Sequence, residues 1–119
     1  MVALAAARAA SLASAYLVAT NELMNEWRRR LSEGARPRAD AAAWALIDEL
    51  PAHPIITAPV AAAATRRSKA AIHQAMIQLA ECGVLEPLSA SKRNRSWEVA
   101  GLLPLLESLE AGRAPGDRR

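Results

Sequence analysis

The sequence predicts a mostly helical protein that carries one small β-hairpin. About half of its 119 residues are apolar, and alanine, the best helix former, supplies much of that share. Residues 2–33 contain no glycine or proline, which predicts one long N-terminal helix. Residues 84–88 and 96–99 instead alternate apolar and polar side chains, which is typical of the two strands of a hairpin.

The long helix carries one apolar face, and Gly34 is expected to end it. A helix of about 30 residues spans about 45 Å, which is longer than a small core can cover. We therefore expect this face to pack on a second copy of the chain, as a homodimer through residues 2–33, or on another domain. The face repeats at four- and seven-residue spacing: Leu12, Tyr16, Leu23, Trp27 and Leu31.

Two short helices and an extended piece follow the linker. Asp40 is expected to cap a helix over 41–50, which the prolines of "PAHP" end. "IIT" then forms a short extended piece, and Thr57 is expected to cap a helix over 58–64 that holds Pro59 in its first turn.

A third helix of this part begins after a tight turn. Ser68 is expected to cap the helix over 69–82, and Gly83 to take a left-handed conformation at its end. Pro87 predicts that the hairpin lies at a sheet edge or is irregular. An amphipathic helix over 101–112 follows the hairpin.

Helix, short strand, helix, tight turn, helix, hairpin and helix is the order of a winged helix-turn-helix. We divide the chain into a long linker or dimerisation helix (1–34), the winged helix-turn-helix domain (35–112) and a disordered tail (113–119). Hairpin 84–99 is then the wing, and helix 69–82 is the recognition helix.

One face of the recognition helix is expected to be buried, with spacing i, i+3, i+4 and i+7. Its members are Ile72, Ala75, Met76 and Leu79. Residues from four elements are expected to be buried together, with Trp97 at the base of the wing: Trp44, Ile72, Leu79, Leu85 and Trp97.

Two basic clusters predict a DNA-binding surface. The formal charge of +3 is modest, but residues 57–100 carry six bases against three acids. Gln74 suits adenine, Lys69 suits guanine or phosphate, and the wing would contact the backbone or the minor groove. The predicted DNA-binding residues are Arg66, Arg67, Ser68, Lys69, His73, Gln74, Gln78, Lys92, Arg93, Asn94 and Arg95. Each cluster alone also fits a solvated surface, and the alternative is a protein-interaction module that docks through the same basic face.

"HPIIT", a serine-started helix, "LAECGVLEP" and "RNRSW" follow one another over residues 53–99. This segment resembles the C-terminal winged-helix domain that follows the catalytic core in many bacterial Fic (filamentation induced by cAMP) family proteins. Residues 23–54 are similar to the helical linker between those two parts. The resemblance implies a regulatory module with a Fic catalytic domain as a partner, although the winged-helix part alone would fit many transcription regulators.

The catalytic loop of that family, HPFxxGNGR, is not found in this chain. His53 and Pro54 are followed by Ile55, and the next glycine is Gly83. We therefore expect no adenylyl-transfer activity and no enzyme, and interpret the chain as the regulatory end of such a protein or a truncated relative.

We also predict no metal, no cofactor and no membrane span. His53, His73 and Cys82 lack a zinc-binding spacing. A single cysteine fits a reducing cytosol, and Arg8 interrupts the apolar region that a secretory signal would need, so a cytoplasmic location is expected.

Overall fold

Helices account for most of the chain, and three short strands form one small antiparallel sheet. The computed structural model describes residues 2–88 and 95–112, and their side chains from residue 12 onward. The predicted class, mostly helical with a small β-sheet, is confirmed. The elements are α1 (Val2–Glu33), α2 (Ala42–Glu49), a 3-10 turn (Leu50–Ala52), β1 (Ile55–Thr57), α3 (Ala58–Thr65), α4 (Lys69–Glu81), β2 (Leu85–Pro87), β3 (Ser96–Val99) and α5 (Leu102–Glu110).

The predicted helix ends are mostly found. Helix α1 stops before Gly34, whose N–H donates to the Arg30 carbonyl at 2.9 Å. Ser68 caps α4, since its Oγ accepts the N–H of Ala71 at 3.1 Å. Gly83 has φ 81°, the left-handed conformation expected after α4.

The predicted cap of α2 is wrong. Helix α2 begins one residue later than expected, so its N-cap is Ala41, which makes no side-chain cap. The Asp40 carboxylate lies one position too early and faces Arg38 at 3.7 Å instead. Thr57 does occupy the N-cap of α3, but its side chain makes no capping hydrogen bond.

The sheet has one strand more than the predicted hairpin. Strands β2 and β3 pair antiparallel, with Leu85 opposite Val99, and β1 joins the other side of β3, with Ile56 opposite Trp97. The order β1-β3-β2 puts Pro87 in an edge strand, where its missing N–H costs no ladder bond. The hairpin tip, residues 89–94, lies outside the described residues, so the winged-helix assignment stays a prediction.

The predicted buried face of α4 is confirmed at all four positions, and Leu85 is buried with it. The two tryptophans expected in this core are only partly buried. Trp44 donates its indole N–H to the Arg38 carbonyl at 2.9 Å, near the surface. An indole has one polar atom to satisfy, and this favours the border of a core over its centre.

Part of the apolar face of α1 packs within the chain, where a second copy or another domain was expected. Trp27 and Leu31 are fully buried, and the Trp27 indole donates to the Ala100 carbonyl at 3.0 Å. Leu23 packs so closely on Gly101 that a β-carbon there would lie 2.9 Å from Leu23 Cδ1. The second half of α1 is therefore part of the domain core, because α5 folds back beside it.

The homodimer through residues 2–33 stays a prediction, and the large apolar side chains of α1 that are exposed lie before Thr20. The long axis of the molecule is 54 Å against 30 and 29 Å for the other two, and Leu17 and Val18 are 63% and 57% exposed. We expect the chain to be dimeric and Leu17→Gln with Val18→Gln to yield a folded monomer, measured by sedimentation. Trp27→Gln should instead unfold the domain. A monomeric unaltered chain at micromolar concentration would show that α1 forms no dimer.

A carboxylate on α1 makes stability depend on pH. Hydrogen bonds from Arg29 and Arg30 lower the pKa of Glu26 from its usual 4.5 to about 2. The folded state then binds this proton less readily than the unfolded chain, so the stabilisation is complete above about pH 4.5 and is lost as the pH falls towards 2. The Arg30 guanidinium also donates to the Gly83 carbonyl at 3.1 Å, which links the cluster to the end of α4.

We expect Glu26→Gln to flatten the fall in melting temperature between about pH 5 and 2, with a small loss at neutral pH because the pair is exposed. Glu22→Gln, one turn earlier on α1, is the matched control and should retain the full pH dependence. Identical melting curves for the unaltered chain and Glu26→Gln across this range would contradict the prediction.

Candidate nucleic-acid interface

Helix α4 presents a polar face directly opposite its buried one. Lys69, His73, Gln74 and Ile77 are exposed on it, and Gln78 is partly buried. The outward orientation predicted for these side chains is therefore found. The N-terminal half of the helix, where Lys69 to Gln74 lie, is also the end nearest the tight turn from α3.

The turn between α3 and α4 depends on a left-handed residue. Arg66 has φ 57° and ψ 33°, an uncommon conformation for a residue with a β-carbon. The chain reverses there, and Arg66 and Arg67 are both exposed. Arg67 donates from its guanidinium to the Asp40 carbonyl at 3.1 Å and so ties the turn to the linker before α2. A guanidinium has five N–H donors, so this single bond leaves Arg67 able to contact an anion as well.

A groove of about 690 Å³ separates α4 from β3. Lys69 and His73 line it from α4, and Arg95 and Trp97 line it from the opposite side. The Arg95 guanidinium lies 5.8 Å from the centroid of the Trp97 ring, within the range of a cation–π interaction. The structure thus brings together members of both basic clusters. Lys92, Arg93 and Asn94, which were predicted to lie with Arg95 in the wing, fall outside the described residues.

The sequence predicted no binding role for the apolar residues of this groove, and it placed Met76 and Trp97 in the core. Met76, Ile77 and Pro59 line it together with Trp97. One signal was available: Ile77 lies on the outward face of an amphipathic helix, and its side chain is 38% exposed.

The described part of the chain offers few candidates for a metal site, a reactive thiol or a membrane-spanning helix. Among those residues no three His, Cys, Asp or Glu side chains lie close enough to hold a metal ion. Burial raises the pKa of the Cys82 thiol, which disfavours the nucleophilic thiolate. Within the same residues, no helix is both long enough and apolar enough to span a membrane.

No family model matches this chain, and no curated protein matches it. The resemblance to the Fic winged-helix domain therefore stays a prediction that depends on the quoted motifs.

Proposed function

We propose that this chain is a DNA-binding winged-helix module, the regulatory part of a Fic-like protein or a truncated relative of one. The observation that carries the proposal is the groove of about 690 Å³ beside α4, which Lys69, His73 and Arg95 line together. No described residue that lines this groove is acidic. A concave surface with cations on both sides and no opposing carboxylate attracts the phosphates of a nucleic acid.

Helix α4 has the form that major-groove recognition needs. It is 13 residues long, its inward face is buried, and its N-terminal half projects exposed polar side chains. The B-DNA major groove is wide enough for one such helix. Gln74 would pair with an adenine edge, while Arg66 and Lys69 beside the helix N-terminus would contact phosphates.

The experiment that tests the proposal is a duplex-binding titration at two salt concentrations, with random and genomic DNA. We expect binding at low salt that weakens steeply as salt is added. No binding at low salt would contradict the proposal. The alternative function, docking on an acidic protein surface through the same face, would then be the better one.

Gln74→Ala should change sequence preference more than overall affinity. We expect a loss of about 1–3 kcal/mol at one base position, with the salt dependence almost unchanged, because the side chain contacts a base edge and not a phosphate. Binding to a library randomised at each position measures this. Asn21→Ala, which removes an exposed amide side chain on α1, is the matched control and should leave sequence preference unchanged. An equal loss on every sequence would place Gln74 away from the bases.

A further inference from the structure

The groove between α4 and β3 has an apolar floor that duplex binding does not explain. Trp97 is only partly buried, although Val99, two residues further along the same face of β3, is fully buried. Ile77 of α4 and Pro59 of α3 also line the groove and are exposed, and Met76 lines it although it is almost fully buried. Large apolar side chains gathered in an open concave surface are typical of a ligand site. The floor offers an accessible aromatic ring to a flat apolar group.

The rim of the groove is basic. Lys69 and His73 lie one turn apart on α4, and Arg95 faces them from the strand side. The Arg95 guanidinium is 5.8 Å from the Trp97 ring centroid, further than van der Waals contact between stacked groups. A guanidinium has five N–H donors, so Arg95 can contact an anion in addition to its existing interactions.

One end of the groove supplies a hydroxyl. Thr57 lines the groove at the N-cap of α3, and its side chain makes no capping hydrogen bond to that helix. A ligand that reaches this end meets the Thr57 hydroxyl and the first turn of α3. The groove volume of about 690 Å³ lies within the usual range of small-molecule sites, about 300–1,000 Å³.

We propose that this groove binds a nucleoside monophosphate unit, with the base against Trp97 and the phosphate between Lys69 and Arg95. An aromatic floor with a cationic rim, and with no carboxylate among the described lining residues, matches a planar ring that carries an anionic group. The chemistry is the same for a free mononucleotide and for an unpaired nucleotide of a single strand. Because the rim residues belong to the face proposed for duplex DNA, a bound mononucleotide competes with the duplex.

Calorimetric titration of the full chain, without duplex DNA, tests the site. We expect AMP to bind at least tenfold more tightly than ribose 5-phosphate or adenosine, which each lack half of the ligand. Trp97→Leu should weaken AMP binding about tenfold or more, as removal of a base-stacking side chain does, while Trp97→Tyr keeps most of the affinity. Trp44→Leu is the matched control and should have no effect, since Trp44 is also partly buried but does not line the groove.

A second set of variants tests the rim without touching the indole. Arg95→Gln and Lys69→Gln should each weaken AMP more than they weaken adenosine, and Arg36→Gln, an arginine away from the groove, should not. These surface changes keep the test decisive if Trp97→Leu fails to fold.

Short single-stranded oligonucleotides distinguish the two sources of the nucleotide. Binding of AMP itself identifies the free mononucleotide. Binding only of an oligonucleotide, and its loss when bases are replaced by abasic positions, identifies the unpaired nucleotide of a strand. The proposal is overturned if neither probe binds at millimolar concentration, or if ribose 5-phosphate binds as tightly as AMP. Either result leaves duplex binding untouched, so the two proposals fail separately.

Discussion

Neutralising the three cations of the predicted wing should weaken binding to every DNA sequence by nearly the same factor. The change is Lys92→Gln, Arg93→Gln and Arg95→Gln in one chain. These side chains would bind phosphates, and the magnitude of the salt slope of log K should fall by up to about 0.9 for each phosphate that is no longer neutralised. Titrations at several salt concentrations, with specific and random duplexes, measure both quantities. This pattern is the opposite of that expected for Gln74→Ala, where preference changes and the salt slope does not.

A variant with the same reduction in charge controls for net electrostatics. Arg28→Gln, Arg29→Gln and Arg36→Gln remove three positive charges from α1 and the linker, and none of these residues lines the groove. We expect this variant to retain most of the affinity and nearly all of the salt slope. Equal effects of the two triple changes would mean that only the total charge matters. An unchanged salt slope in the wing variant would mean that the tip of hairpin 84–99 is only a solvated surface and contacts no phosphate.

Short-range features of this fold follow from the sequence because they depend on neighbouring residues. The period of a helix fixes which side chains of α4 share a face, so its four buried positions were predicted correctly. The same is true of Ser68, whose hydroxyl needs only the third N–H after it, and of Gly83, which has the φ of 81° that favours glycine.

Long-range contacts could not be predicted in this way. The indole N–H of Trp27 donates to the Ala100 carbonyl, 73 positions later, because α5 lies beside α1. Strand β1 likewise pairs with β3 across the whole helix-turn-helix segment. The local sequence pattern of neither partner specifies such a contact. Trp27 and Leu31 were therefore expected to face a second molecule, although they pack within the chain.

The sequence predicted which charged residues of the candidate site lie together, but not the groove that they line. Lys69, His73 and Arg95 were assigned to one surface from the order of the elements, and they do line one groove. Trp97 was expected in the core at the base of the wing, where its indole N–H could be partly satisfied. The exposed fraction of Trp97 depends on the distance between β3 and α4, and the sequence pattern does not predict that distance.

Truncation of the central isoleucine of α4 should cost about 2–5 kcal/mol of the free energy of unfolding, the usual range for a buried aliphatic side chain. Ile72 is 1% exposed and belongs to the core cluster, so Ile72→Ala removes apolar contacts and leaves a cavity. Ile77→Ala is the matched control on the same helix. Since Ile77 is 38% exposed, its truncation should cost much less. Urea unfolding followed by circular dichroism measures both. A decrease under about 0.5 kcal/mol for Ile72→Ala would mean that α4 packs with another face inward. The same would follow if Ile77→Ala lowered the free energy of unfolding more than Ile72→Ala does. The residues assigned to the groove beside α4 would then be wrong.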